Sequence, residues 1–340
     1  TATSADPYII CNLAHLNAIR TKAFGFYYKL GENVDLQGIA FTPLYNSNGN
    51  TIEFQGNFNG DNFAISNWTY NDGVATRPVG LFGQINNSTV TNLGLINFNV
   101  TGKDRVGMLA GSTAMGQTYS WYNSATQTTT GIFATGVVNG QTSVGGLIGE
   151  GGGRTDNILI LGNISGKNQV GGVVGSKLDG ISNAEYSGAV TATGAGGVTC
   201  QVGGIVGWIR SNNFSNSYLK SSGTVSCMDQ AGIHSERSGG LFGTMDNGNI
   251  ENSENNAVLN GMNRSGGLVG NMFGAGHISD SVNKANAFGW SEVGGIVGHA
   301  DSGNVTMTNV TNYGNSTAAD LTSSGGGGIM GYLEAGATLV

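Results

Sequence analysis

Cysteine, proline, charge and histidine are all scarce in this chain. Three cysteines among 340 residues form an odd, thin set, which excludes the disulfide framework of a small stapled domain. Three prolines are far fewer than ordinary usage supplies, and the absence of a Gly-X-Y period excludes collagen. Charged residues make up 10% of the chain, against about 25% in a typical soluble protein. Solvation therefore falls to Asn, Ser, Thr and Gly, a profile of short polar turns on a secreted β-protein. A net charge of −7 with 14 basic residues offers no footprint for a phosphate backbone, which excludes nucleic acid as a partner. No apolar run approaches the about 20 residues that cross a bilayer, so no membrane insertion is expected. None of the four histidines, His15, His234, His277 and His299, pairs at metal-ligand spacing, so neither a metal nor another cofactor is expected. His15 reads as structural, and His299, directly after a repeat glycine, as a solvated turn residue.

Glycine is abundant, at 60 residues, and apolar residues at 39% supply a core, which argues against disorder. The glycines are organised. A short pattern recurs as Val144-Gly-Gly-Leu-Ile-Gly149, Val170-Gly-Gly-Val-Val-Gly175, Val202-Gly-Gly-Ile-Val-Gly207 and Val293-Gly-Gly-Ile-Val-Gly298. Serine opens Ser238-Gly-Gly-Leu-Phe-Gly243 and Ser265-Gly-Gly-Leu-Val-Gly270, and looser copies close at Gly83, Gly111 and Gly331. The successive differences between closing glycines are 28, 38, 26, 32, 36, 27, 28 and 33. A floor near 26 with longer copies describes a constant coil carrying loop insertions.

Each unit is too short to bury its apolar face alone and must stack on its neighbours. The expected fold is therefore all-β, a parallel β-helix (β-solenoid) of about nine glycine-rich coils, roughly 40 Å long at the ordinary strand spacing. A second column supports the register: Asn92, Asn183, Asn216, Asn252 and Asp280 follow the glycines at similar distances. Such residues tolerate left-handed turns and can form a side-chain ladder at one corner. Helical spacing is confined to Leu13, Leu16 and Ile19 within Ile10–Lys22. With strands at Phe26–Leu30 and Ile52–Phe58, this helix reads as a small α/β cap over an open sheet edge. The expected organisation is one continuous structural domain, with cap and lead-in over 1–75 and repeats over 76–340. Thr1 is expected to be a mature terminus, and the missing cap after Gly331 suggests a continuation or a docked end.

The repeat resembles the GLUG motif of large bacterial surface proteins, named for its Gly-Leu-any-Gly core. The opening is similar to the segment that precedes such repeats: Asp6-Pro7-Tyr8-Ile9-Ile10, the helix, Tyr28-Lys29-Leu30, Val34-Asp35-Leu36, Phe41-Thr42-Pro43-Leu44 and Phe54-Gln55-Gly56-Asn57-Phe58-Asn59-Gly60. Asn59 stands where that family usually has an acid. The resemblance implies an extracellular or cell-surface bacterial protein, often adhesive, whose rigid coil presents loops to a glycan or a protein on a cell surface. It transfers no catalytic residues. A structural fibre or homo-oligomer is the alternative, and a polysaccharide-processing enzyme ranks below both.

Catalysis on a β-helix needs carboxylates converging on one face, and the acids here look scattered. Glu251, Glu254, Glu292 and Asp301 fall at unequal offsets from the motif, so no catalytic residue is assigned. The runs Gly149-Glu-Gly-Gly-Gly153 and Gly325–Gly328 lack the Lys-Ser/Thr ending of a phosphate loop and read as turns. Cys200 and Cys227 lie 27 apart, close to one repeat. That leaves a bridge between coils open, while their unequal offsets favour two buried free thiols. Aromatic residues in insertions are the candidate binding surface: Tyr119, Trp121 and Tyr122 in the longest repeat, and Trp208 directly after a closing glycine.

Overall fold

A computed structural model of the protein describes residues 2–21, 24–45, 53–74, 76–113, 128–194, 199–210, 214–228, 236–320, 325–335 and 337–339. The chain is a parallel β-solenoid of about nine turns. Its described strands form a 27-stranded and an 8-stranded sheet. Each coil contributes a motif strand to the smaller sheet, as in Asn168–Gly171 and Gln201–Gly203. The chain reverses at the paired glycines and then adds a short and a long strand to the larger sheet, as in Val174–Lys177 and Ile181–Ala192.

The motif is in register throughout. Phe82, Ala110, Ile148, Val174, Val206, Phe242, Val269, Val297 and Met330 pair one above the next, and each precedes a closing glycine: Gly83, Gly111, Gly149, Gly175, Gly207, Gly243, Gly270, Gly298 and Gly331. Space explains those glycines. A Cβ on Gly207 would sit 2.6 Å from the backbone of Gln169 and Val170 in the coil below, and one on Gly175 would sit 2.4 Å from the Val144 nitrogen. The second glycine, where a motif has one, meets two neighbours, the carbonyl of the next coil (2.1 Å from a Cβ on Gly172 to Gly204 and 2.0 Å from one on Gly267 to Gly295) and the inward residue of the long strand. A Cβ on Gly172 would meet the Tyr186 ring at 2.4 Å, and one on Gly267 the Asn283 amide at 2.4 Å. The coil is therefore one side chain thick at that point.

That inward column runs Ile160, Tyr186, Ser221, Asn255, Asn283 and Asn312. Its polar half is a buried amide ladder. Asn255 Nδ2 donates to Asn283 Oδ1 at 2.8 Å, and Asn283 Nδ2 to Asn312 Oδ1 at 2.8 Å. Asn255 and Asn283 also bond backbone groups two residues on. Because an unmet buried polar group costs about 1–3 kcal/mol, a ladder is how this core accommodates asparagine. A second inward column contains one cation: Lys177, 1% exposed, stands between Gly151 and Ile209 and donates from Nζ to the Gly153 carbonyl at 2.6 Å.

The helix occupies Leu13–Ala18, followed by a 3-10 turn at Ile19–Thr21, shorter than the periodicity suggests. Asn12 caps it, accepting from the His15 amide at 3.0 Å, and Leu16 and Ile19 are buried. The strands near the start are not a separate unit. Tyr8–Ile10, Phe24–Leu30 and Gln55–Asn59 pair in parallel with one another and then with Thr89–Gly102, so the solenoid begins before the first glycine motif. The strand expected at Ile52–Phe58 is seen as Gln55–Asn59, and Ile52 lies outside the described residues.

Cys200 and Cys227 are joined in a disulfide, with Cα atoms 6.2 Å apart, which overturns the reading of two free thiols. Counting from the nearest glycine obscured this pair. Cys227 ends a long strand and Cys200 directly precedes a motif strand one coil below, so they meet at the corner that joins the two.

Candidate functional site

Tyr119, Trp121 and Tyr122 lie outside the described residues. Trp208 is half-buried and engaged by its own chain: Nε1–H donates to Asp246 Oδ2 at 3.1 Å, and the Arg210 guanidinium covers the ring at 3.7 Å. Asn92, Asn183, Asn252 and Asp280 do share one corner, with φ of 51°, 47°, 48° and 48°. Asn216 does not belong there. It is buried, accepting from the Ile181 amide at 3.1 Å and donating to the Asn249 carbonyl at 2.9 Å.

The register gives that corner as Asn92, Gly131, Asn157, Asn183, Tyr218, Asn252, Asp280 and Asn309. Seven of these suit a left-handed turn, since glycine has no Cβ and Asn or Asp bonds locally. Tyr218 is the exception, held at φ 55° and 59% exposed. A bulky residue in this conformation is strained and needs a compensating reason.

Tyr218 lines an open groove of about 540 Å³. After each corner residue the burial alternates, so Phe133, Leu159, Glu185 and Lys220 form an outward column along its floor. Glu185 and Lys220 pair at 3.2 Å, both half-exposed. Asn157 and Asn183 line the rim, and their amides donate to Asp156, which also accepts from Ser182 Oγ at 2.8 Å. Burial raises the Asp156 carboxyl, but hydrogen bonds from Asn183 and Ser182 and the Arg154 charge outweigh it, so its pKa lies below the usual range. The chain enters this corner at Thr128, directly after residues 114–127, which hold the aromatic insertion.

A second polar feature runs where motif strand and following strand face each other. Directly after the closing glycines stack Gln84, Ser112, Glu150, Ser176, Trp208, Thr244, Asn271, His299 and Tyr332. Facing them, Arg237 pairs below with Gln201, and Arg264 stands in register between Arg237 and Glu292. The expectation of scattered acids fails here. Glu292 and Asp301 both reach His299, at 2.6 Å from Nδ1 and 3.1 Å from Nε2, because the chain reverses between them at Gly294 and Gly295. The expectation of a solvated His299 fails too, as the residue is 2% exposed. Burial pushes Glu292 up, but the bonds from His299 and the Arg264 charge bring it below its ordinary pKa. Asp246 is raised by burial, against the pull of Trp208, Arg210 and Arg237.

No family model matches the chain. Halomucin of Haloquadratum walsbyi is 32% identical over 160 residues, which is 44% of this chain and 2% of halomucin. The chain thus spans a small part of that relative. A crystal structure from Bacteroides ovatus, provisionally named an immunoglobulin A1 protease, superposes with a TM-score of 0.50 over 99% of this chain and 85% of that one. At 18% identity that likeness shows the fold alone. Among the described residues no helix is long and apolar enough to cross a membrane.

Proposed function

We propose that the chain is a GLUG-type, adhesin-like scaffold of a secreted or cell-surface protein, and that the groove at Tyr218 binds glycans. The observation that carries this reading is Tyr218 itself, a strained, exposed ring in the one column that otherwise uses Asn, Asp or Gly. Departures from a local rule concentrate at functional sites. An exposed ring offers a stacking platform, and the amides of Asn157 and Asn183 with the Glu185–Lys220 pair offer hydrogen-bond partners for hydroxyls. Likeness to halomucin supports an extracellular setting.

The test is a glycan array and whole-cell binding with Tyr218→Asn, which suits the corner backbone and should fold. A buried ring is worth about 1.5–3 kcal/mol, so binding should weaken by roughly tenfold or more. Unchanged binding by a folded Tyr218→Asn protein rejects the groove as the glycan site.

A further inference from the structure

We propose that His299, Asp301 and Glu334 form a site for a divalent transition-metal ion, with zinc the best fit. The imidazole is buried and its orientation is fixed. Glu292 holds Nδ1 at 2.6 Å, and Tyr332 stacks on the ring with centroids 5.0 Å apart. Nε2 is thereby aimed at two carboxylates, with Asp301 Oδ1 at 3.1 Å and Glu334 Oε2 at 3.5 Å. A single N–H cannot serve both well, and each distance exceeds the about 2.7–2.9 Å of a charge-assisted hydrogen bond. The Glu334 separation matches a coordination polyhedron, and the Asp301 one falls slightly short of it. A tetrahedral ion held at about 2.0–2.2 Å by nitrogen and oxygen sets its ligand atoms about 3.3–3.6 Å apart. The three ligand atoms here all lie within 4.8 Å of one another.

The surroundings fit the same assignment. A carboxylate on Nδ1 fixes the tautomer that leaves Nε2 with its lone pair, the usual support for a metal-binding histidine. The Asp301 carboxylate is positioned in turn, with Asn271 Nδ2 donating to Oδ2 at 2.5 Å. Charge points the same way. Three carboxylates (Glu292, Asp301, Glu334) meet one ion-paired arginine, Arg264, and three minus one leaves two negative charges around the ring. An imidazole with two carboxylates favours zinc or a neighbouring transition ion over calcium or magnesium, which prefer all-oxygen shells. Three protein ligands leave a fourth position for water.

Tag-free full chain is titrated calorimetrically with Zn²⁺ at pH 8, and Co²⁺ uptake is followed by visible absorption. Saturable zinc binding with tetrahedral cobalt bands is expected, at least tenfold weaker in both Glu334→Gln and Asp301→Asn. Glu334 is half-exposed, so its variant should fold, and circular dichroism checks both. Absence of saturable heat overturns the metal site. Unchanged affinity in either folded variant overturns it as well.

Discussion

Replacing Lys177 by Met isolates the electrostatics of the coil interior. The ammonium is enclosed between strands, and desolvation lowers its pKa from 10.5 to about 8, with Asp179 pulling the other way. Because the folded value lies below the unfolded one, the unfolded chain binds the extra proton between about pH 8 and pH 10.5. Stability therefore rises with pH across that window, and the full penalty applies below it. A shift of that size corresponds to about 3 kcal/mol. Met fits the site, since Met245 and Met272 continue the same inward column. The variant loses the bond to the Gly153 carbonyl at every pH, which offsets its stability without changing the slope. Urea unfolding of both proteins is measured from pH 7 to pH 10.5 in a Cys11→Ser background, so that no free thiolate reshuffles the disulfide. Tyrosines and surface lysines titrate in both and cancel on subtraction. The stability advantage of Lys177→Met over the parent should fall by about 3 kcal/mol from pH 7 to pH 10.5. A pH-independent difference refutes the buried-ammonium account.

Three further outcomes test the scaffold. Tyr218→Asn should gain about 0.5–1 kcal/mol in urea while losing glycan binding, since it removes a left-handed tyrosine; a loss of stability contradicts the strain. Gly207→Ala should cost about 1–3 kcal/mol because its Cβ meets backbone at 2.6 Å, whereas Gly328→Ala, with open space around it, should stay within about 0.5 kcal/mol. Removing both Cys200 and Cys227 opens a 27-residue loop and should cost roughly 3–4 kcal/mol by chain entropy; an unchanged urea midpoint means the bridge contributes nothing.

The coil was legible because its cause is local and repeated. Backbone passes so close to backbone at Gly149, Gly175 and Gly207 that no other residue fits, and that demand recurs once per turn whatever the loops do. A second glycine column, Gly136, Gly162, Gly188 and Gly223, went unread although its first three members stand 26 apart. There a Cβ on Gly188 would lie 1.8 Å from the Gly162 carbonyl. Counting failed where coil length varies before the corner. Asn216 follows Gly207 by 9 residues, as Asn92 follows Gly83 and Asn252 follows Gly243, yet the strand pairing puts Tyr218, two residues later, in the column. Only hydrogen-bond register distinguishes the two.

The charged face shows what a register-based count would have found. Three residues after a closing glycine stand Arg210, Asp246, Phe273, Asp301 and Glu334; six before one stand Arg105, Gln201, Arg237, Arg264 and Glu292. These two columns face each other across the chain reversal, so acids that look scattered along the sequence are neighbours in space. Stacking at strand spacing then forces each coil to answer the charge of the next, because like charges on adjacent strands are destabilising. Arg210 beside Asp246, and Arg264 between Glu292 and Asp301, obey that demand. Two places break it: Arg237 stacks beside Arg264, and Asp301 lies below Glu334, with acid on acid at the same offset in consecutive coils and a buried imidazole turned toward both. A periodic scaffold makes such a break conspicuous. Two carboxylates at one offset repel unless positive charge stands near, which Arg264 supplies to Asp301 at 3.5 Å and a bound cation would supply to Glu334.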